Sequence, residues 1–162
     1  MEEQSEESRS PLETAIHRRV NDARAGRDNT VLGRFASGWA VFGHQQFVQG
    51  YLLLLPDPVV PDLNSLTPEN RSRFLLDMSR LGDALIRTTG AARVNYAIYG
   101  NLEPALHAHV IPRFRNEPEA LRTQQPWAYD WSKAPVFDAS THAPLMKALR
   151  TELAQLGALR TP

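Results

Sequence analysis

The sequence predicts an α+β fold in which a five-stranded antiparallel sheet packs against helices. Five short segments are rich in β-branched and aromatic residues or alternate between apolar and polar residues, which is typical of strands. Other segments carry apolar residues at helical spacing, and the longest of them separates three strands from two. At 162 residues the chain is long enough for one domain with its own core.

Charge and composition narrow the functional classes. Eighteen basic and eighteen acidic residues cancel, so there is no field suited to non-specific binding of nucleic acid or membranes. The chain has no Cys for disulfides and no N-terminal export pattern, and we therefore expect a cytoplasmic protein. Residues 1–10 are predicted to be a disordered acidic tail, 11–131 a domain, and 132–162 a linker with a C-terminal amphipathic helix.

A short helix and three strands are predicted in the first part of the chain. Apolar residues recur at helical spacing from Pro11 to Gly26, and Gly26 is suited to end the helix. Three strands follow, the first two joined by a tight turn at 37–38: residues 30–36, 39–43 and 50–55. The third strand contains four consecutive leucines, so we expect it to be central and covered on both faces.

The longest helix is predicted between Thr67 and Gly90, after an irregular connection at 56–66. Thr67 is a typical N-cap, Pro68 suits the first helical position, and Gly90 ends the pattern. Residues 94–99 alternate as a fourth strand, and residues 105–112 form a fifth after the turn at 100–104. A last amphipathic helix is predicted over residues 144–156.

His107 and His109 alternate with apolar residues in the fifth predicted strand. This alternation places both imidazoles on one face, with α-carbons roughly 6.5 to 7 Å apart, close enough to reach one phosphate-sized anion. A neutral imidazole can attack a phosphoryl centre. Two such histidines can instead be polar surface or zinc ligands. Because the chain has no Cys and only three other histidines, none at ligand spacing, no metal site is predicted.

The segment NLEPALHAHVIPR, residues 101–113, resembles the histidine triad motif, His-φ-His-φ-His-φ-φ with φ apolar. His109 matches the third histidine and His107 the middle one, while Ala105 stands at the position of the first. The Pro-Arg pair after the motif and Asn101 before it also resemble the fragile-histidine-triad branch, whose members hydrolyse dinucleoside polyphosphates. The resemblance covers about 80 residues, from Val31 to the end of the motif.

The resemblance implies a fold and a chemistry. Family members share an antiparallel sheet with packed helices and pair through a two-fold interface that extends the sheet, so a homodimer is expected. The family's nucleophile falls on His107, and His109 would bind phosphoryl oxygens or protonate the leaving group. The first histidine acts largely through its backbone carbonyl, which Ala105 retains. No cofactor is implied, although a polyphosphate substrate can arrive with magnesium.

Six further residues are predicted to bind substrate: Asn101, Tyr51, His44, Gln46, Arg113 and Trp127. Tyr51 stands where family members commonly carry a histidine that contacts phosphate. We expect Tyr51 itself, or His44 or Gln46 in the polar loop 44–49, to replace that contact. Asn101 is a neutral donor for a phosphate oxygen or the leaving group, and Arg113 would balance phosphate charge.

Trp127, Tyr129 and Trp131 occur at alternate positions after the motif. An extended segment would place the three rings on one side, where they would cover an apolar patch or stack on a nucleotide base.

The sequence thus predicts a nucleotide hydrolase or nucleotidyl transferase. Its substrates would be nucleoside polyphosphates or phosphoramidates, cleaved through a nucleotidyl-histidine intermediate. The alternative is a nucleotide-binding module without turnover, because Ala105 and Tyr51 depart from the family pattern. A zinc-binding H-x-H protein is a third hypothesis. The expected partner is a small nucleotide, with neither nucleic acid nor membrane.

Overall fold

The computed structural model describes residues 13–161 and contains one five-stranded sheet. Its strands are β1 (Val31–Arg34), β2 (Gly38–Phe42), β3 (Leu52–Pro56), β4 (Arg93–Ile98) and β5 (Ala108–Arg113). Their spatial order is β1-β2-β3-β5-β4, and every neighbouring pair is antiparallel. The predicted fold class and the central, fully buried third strand are confirmed. The predicted acidic tail lies outside the described residues.

Within residues 13–161, four α-helices accompany the sheet: α1 (Ala15–Arg24), α2 (Pro68–Thr89), α3 (Glu119–Arg122) and α4 (Ala139–Gln155). The predicted caps of α2 are confirmed, because the Thr67 side chain accepts from the Asn70 amide and Gly90 is left-handed with φ 70°. The last helix starts earlier than predicted, since Asp138 caps it by accepting from the Thr141 amide. None of the helices described combines the length and apolar character needed to cross a bilayer.

One face of the sheet is covered by α2 and α4. Side chains from the sheet and from both helices meet in a fully buried apolar cluster that includes Leu52, Leu54, Phe74, Leu81, Leu149 and Leu153. The predicted apolar stripe of the longest helix therefore faces this core. We call this side the helix-covered face.

The opposite face of the sheet is built differently. Leu53, Leu55 and Ile111 pack there against α1 and against aromatic residues outside the sheet. Tyr51 lies on the same side, and so does His109, because it occupies the position two residues before Ile111 in β5. We call this side the histidine face.

The fifth strand is shorter at its start than predicted. Pairing of β5 with β3 reaches only the Leu54 and Ala108 pair, and the Leu106 amide donates instead to the Val60 carbonyl in the connection after β3. His107 therefore precedes the strand, whereas His109 lies within it. The expectation that one regular strand carries both histidines is wrong, although their rings remain neighbours.

Candidate active site

His107 is held by the backbone just before it. Its Nδ1 lies 2.7 Å from the Ala105 carbonyl oxygen, and because a carbonyl only accepts, Nδ1 is the donor. In a neutral ring this leaves a lone pair on Nε2. Within residues 13–161 the hydrogen bond of Nδ1 is the only one that the His107 ring forms, so Nε2 has no protein partner there. The side chain is therefore oriented as a nucleophile requires, with the free nitrogen away from its backbone anchor.

His109 lies beside His107, with ring centroids 4.9 Å apart and planes at 71°. Its Nδ1 is 2.6 Å from the Tyr51 hydroxyl. Burial, and secondly the proximity of His107, lower the pKa of His109 to about 4. His109 is consequently a neutral imidazole at pH 7.

Tyr51 lies beneath His109 on the histidine face. The two rings are nearly parallel, at 13° and 5.9 Å between centroids. Burial raises the pKa of the Tyr51 hydroxyl, although Arg19 opposes the effect. The phenol therefore stays protonated and is a neutral partner of His109.

A cavity of about 400 Å³ opens beside the two histidines. Its lining comes from the loop between β4 and β5, from β5 itself and from the segment after α3: Tyr99, Gly100, Asn101, Leu102, Glu103, His107, His109, Trp127 and Trp131. The Trp127 ring is edge-on to the His109 ring, with 5.1 Å between their centroids, and its centroid lies 5.6 Å from that of Trp131. The site thus combines two imidazoles with an aromatic wall.

The charge of this lining differs from what the predicted binding of phosphates would favour. It includes neither Lys nor Arg, and its one acidic residue, Glu103, uses its carboxyl in a contact with α1. That carboxyl accepts from the Ala15 amide at 2.6 Å, at the start of α1, and so anchors the loop that carries Asn101. Gly100 adopts φ 123° in this loop, so the sharp turn falls on glycine and not on Asn101.

Four residues predicted to bind substrate do not line the cavity: Tyr51, His44, Gln46 and Arg113. His44 is exposed on the loop after β2. Gln46 is buried, and its amide closes its own loop by donating to the Gly43 and Tyr51 carbonyls at 2.7 and 2.9 Å. Its hydrogen bonds therefore belong to the loop.

Arg113 is buried in a network of its own. Its guanidinium contacts Glu117 at 3.1 Å and the Asn95 side-chain oxygen at 2.8 Å. It also donates to the carbonyls of Leu121 and Gln124, which lead towards Trp127. Arg113 therefore fixes the segment that brings Trp127 to the cavity, and its guanidinium is fully engaged there.

The aromatic segment is not extended, whereas extension is the condition under which its three rings would lie on one side. Short 3-10 turns, Pro126–Ala128 and Trp131–Lys133, interrupt it because Pro126 starts the first and the Asp130 side chain caps the second. Trp127 and Trp131 still reach the cavity, whereas Tyr129 packs on Phe47 and donates to Glu117 at 2.7 Å. The three rings therefore do not act as one stripe.

The sequence analysis did not single out Tyr99 or Glu103. Ala97 of β4 pairs with His109, and Tyr99 follows two residues after Ala97. A correct prediction of the register between β4 and β5 would therefore have indicated that Tyr99 lies near His109. No sequence pattern indicated that Glu103 reaches α1. Among residues 13–161, no three His, Cys, Asp or Glu side chains cluster as metal ligands would.

Comparison with known proteins identifies the family. The HIT domain model matches residues 26–116, more than half of the chain. No functionally curated protein matches the sequence. A histidine triad protein from Bradyrhizobium japonicum is 24% identical with TM-score 0.68, covering 80% of this chain and 94% of its own. One from Marinobacter aquaeolei is 22% identical with TM-score 0.66, covering 88% and 98%.

A third structural neighbour is described as a zinc-bound histidine triad family protein from Mycobacterium smegmatis. It is 21% identical with TM-score 0.60 and covers 82% of this chain and 90% of its own. At these identities the structures establish the fold, and the domain match establishes the family. On this evidence the chain belongs to the histidine triad (HIT) family.

Proposed function

We propose that this protein is a nucleotide hydrolase or nucleotidyl transferase that works through a nucleotidyl-histidine intermediate. The observation that carries the proposal is the His107 contact: its Nδ1 is bound to the Ala105 carbonyl, which leaves Nε2 free at the cavity. A histidine at the family's first position is therefore unnecessary for this contact, because the backbone of Ala105 makes it.

In the first step the Nε2 lone pair of His107 attacks the α-phosphorus of a nucleotide substrate. The new bond is P–N, and the bond from phosphorus to the leaving group breaks. The leaving group departs with the bonding electrons and takes a proton from solvent. Water then attacks the phosphorus, the P–Nε2 bond breaks, and the water's proton is lost to solvent. A transferase would use another hydroxyl in place of water.

His109 and Asn101 assist this step as neutral donors. The neutral ring of His109 donates a hydrogen bond to a phosphoryl oxygen, where negative charge develops. Asn101 lines the same cavity and donates to the phosphate or to the leaving group. Trp127 and Trp131 supply faces on which the base or an aromatic leaving group stacks.

The lining favours substrates of low charge. A neutral His109 and a lining without Lys or Arg offer little compensation for the several charges of a polyphosphate. Of the two predicted substrate classes, a phosphoramidate therefore suits the cavity better. A polyphosphate would need magnesium to arrive with it.

We also propose a homodimer, as predicted from the resemblance. In the described sheet β4 pairs only with β5, so its outer edge is free to extend the sheet across a two-fold axis. A monomer mass that does not change with concentration in light scattering would contradict this state.

The alternative function is a nucleotide-binding module without turnover, since Ala105 and Tyr51 replace family histidines. Steady-state turnover of an adenosine phosphoramidate and a diadenosine polyphosphate distinguishes the two. We expect turnover of both, with the higher kcat/KM for the phosphoramidate. Binding of both compounds without any turnover would establish the module instead. Elemental analysis for zinc tests the third hypothesis.

The intermediate itself is detectable by mass spectrometry. Substrate incubated briefly with the protein in chelator should raise its mass by one nucleoside monophosphate, with an acid-labile label on His107. A His109→Ala variant should accumulate more of the adduct if water attack becomes the slow step. Turnover without any label on His107 would refute the mechanism while leaving the enzyme class intact.

A further inference from the structure

We infer that Tyr51 is a positioning residue that holds His109 as its Nε2–H tautomer, so that the ring presents a hydrogen-bond donor to the reacting phosphoryl group. The inference rests on the proposed function, because it names the residue that prepares His109 for that reaction. It replaces the sequence-based expectation that Tyr51 contacts the phosphate itself.

The direction of the hydrogen bond follows from burial. Tyr51 is 4% exposed, and within residues 13–161 its hydroxyl has no hydrogen-bond partner other than Nδ1 of His109. If Nδ1 were the donor, the hydroxyl hydrogen would be buried without an acceptor, which proteins avoid. The Tyr51 hydroxyl therefore donates to Nδ1, and the single proton of the neutral imidazole resides on Nε2.

The surroundings of Tyr51 fix its hydroxyl in this place. The ring lies over the backbone of Gly43, where a methyl group would overlap it. Phe47 packs on the Tyr51 ring with 5.1 Å between ring centroids, and Trp131 is edge-on to the Tyr51 ring with 5.6 Å between centroids. The Tyr51 carbonyl accepts from the Gly43 amide at 3.0 Å and from the Gln46 side chain. Gln46 and Gly43 thus support the position of the phenol.

The two histidines consequently carry opposite tautomers. Nδ1 of His107 donates to the Ala105 carbonyl and leaves a lone pair on Nε2, whereas Nδ1 of His109 accepts and leaves a hydrogen on Nε2. One ring can attack phosphorus and the other can donate to a phosphoryl oxygen. The difference in role arises from the two partners, Ala105 and Tyr51, and not from the histidines themselves.

The tautomers can be read directly from two-bond ¹⁵N–¹H correlation spectra of the ¹⁵N-labelled protein, with His109 assigned by its loss in His109→Asn. We expect His109 of the wild type to show hydrogen on Nε2. In Tyr51→Phe, which keeps the ring and removes only the hydroxyl, that single tautomer should give way to a mixture. The matched control is Tyr96→Phe, which removes a hydroxyl on the helix-covered face next to Gly82.

Kinetics should follow the spectra. Loss of one oriented donor predicts a fall in kcat of roughly 10- to 100-fold in Tyr51→Phe with little change in KM. Tyr96→Phe should change neither the spectra nor kcat. Gly43→Ala, which displaces the phenol, should reproduce the Tyr51→Phe spectrum.

Three results would overturn the inference, and a fourth bears on the proposed function. Hydrogen on Nδ1 of His109 in the wild type, or an unchanged tautomer in Tyr51→Phe, would overturn the inference even if turnover is normal. An unchanged kcat in Tyr51→Phe with an altered tautomer would also overturn it, since the positioning would not serve the reaction. Absence of turnover in the wild type would refute the proposed function, and the spectra would still decide what Tyr51 does to His109.

Discussion

The helix-covered face and the histidine face of the same sheet are held together in different ways. On the first, Leu52, Phe74 and Leu149 are fully buried and need no specific partner, because apolar burial is non-directional. On the second, polar groups that are buried or partly buried occur in specific pairs, such as His107 with the Ala105 carbonyl and His109 with Tyr51. Changes on the first face should therefore affect folding, and changes on the second should affect chemistry.

The largest effect is expected for His107→Ala. A nucleophile has no substitute, so turnover should fall by at least about 10⁴-fold while nucleotide affinity and the melting temperature stay close to wild type. Steady-state assays, titration with a non-hydrolysable nucleotide and calorimetry measure the three quantities. Full activity in this variant would refute the mechanism.

The control for that variant is His17→Gln. His17 accepts from the Thr14 amide in the capping box of α1, and glutamine is one of the two residue types that usually fill this position. This variant should keep both activity and stability. If both variants lost activity to a similar extent, the loss would follow from removing any histidine and not from the position of His107.

On the helix-covered face, Phe74→Ala should lower the free energy of unfolding by about 3 to 5 kcal/mol, because it leaves a cavity in the core. Leu76→Ala on the same helix should cost far less, since Leu76 is 50% exposed. Denaturant titration measures both. The kcat of the folded fraction should remain unchanged, and a selective loss of kcat in Phe74→Ala would break the comparison between the two faces.

The helix-covered face was the part most fully predicted from the sequence. The spacing of apolar residues in α2, its Thr67 and Gly90 caps, and the unbroken leucines of β3 each depend on neighbours within a few positions. Periodicity records such local requirements directly. Even here, contacts between distant residues changed the boundaries of the elements. The Leu106 amide donates to the Val60 carbonyl, and β5 therefore begins later than predicted.

The histidine face was predicted only at the motif. The Tyr51 contact with His109 joins residues 58 positions apart, and the Glu103 contact with Ala15 joins residues 88 apart, so no local pattern encodes them. Arg113 and Gln46 were expected at the substrate because their chemistry suits phosphate. Backbone carbonyls and Glu117 accept their hydrogen bonds instead. These contacts arise only in the folded protein.

A smaller effect is expected at the aromatic wall. Stacking contributes on the order of 1 to 3 kcal/mol per base, so Trp127→Ala should weaken nucleotide binding about 5- to 150-fold. Trp131→Ala should act in the same direction. Tyr129→Phe is the matched control, because Tyr129 does not line the cavity and loses only its bond to Glu117. If calorimetric titration shows unaltered nucleotide affinity in both tryptophan variants, the aromatic wall only covers the core and does not bind the base.

The smallest effect should be a pH dependence of stability confined to the histidine face. The pKa of His109 is lowered to about 4 in the folded protein, from an ordinary value near 6.5 in the unfolded chain. Between these values the unfolded chain binds more protons, so stability is full above about pH 6.5 and is lost as pH falls towards 4. Because the ring is only partly buried, we expect at most about 2 kcal/mol from this group.

Replacing His109 with glutamine removes that titration, and Phe74→Ala does not. Unfolding free energies measured between pH 4 and pH 7 should therefore show a shallower slope in His109→Gln than in the wild type, whereas Phe74→Ala should lower the curve without changing its slope. Parallel curves for the wild type and His109→Gln would mean that His109 titrates normally in the folded protein. In that case burial on the histidine face would not keep the ring neutral, and its role as a neutral donor would be confined to higher pH.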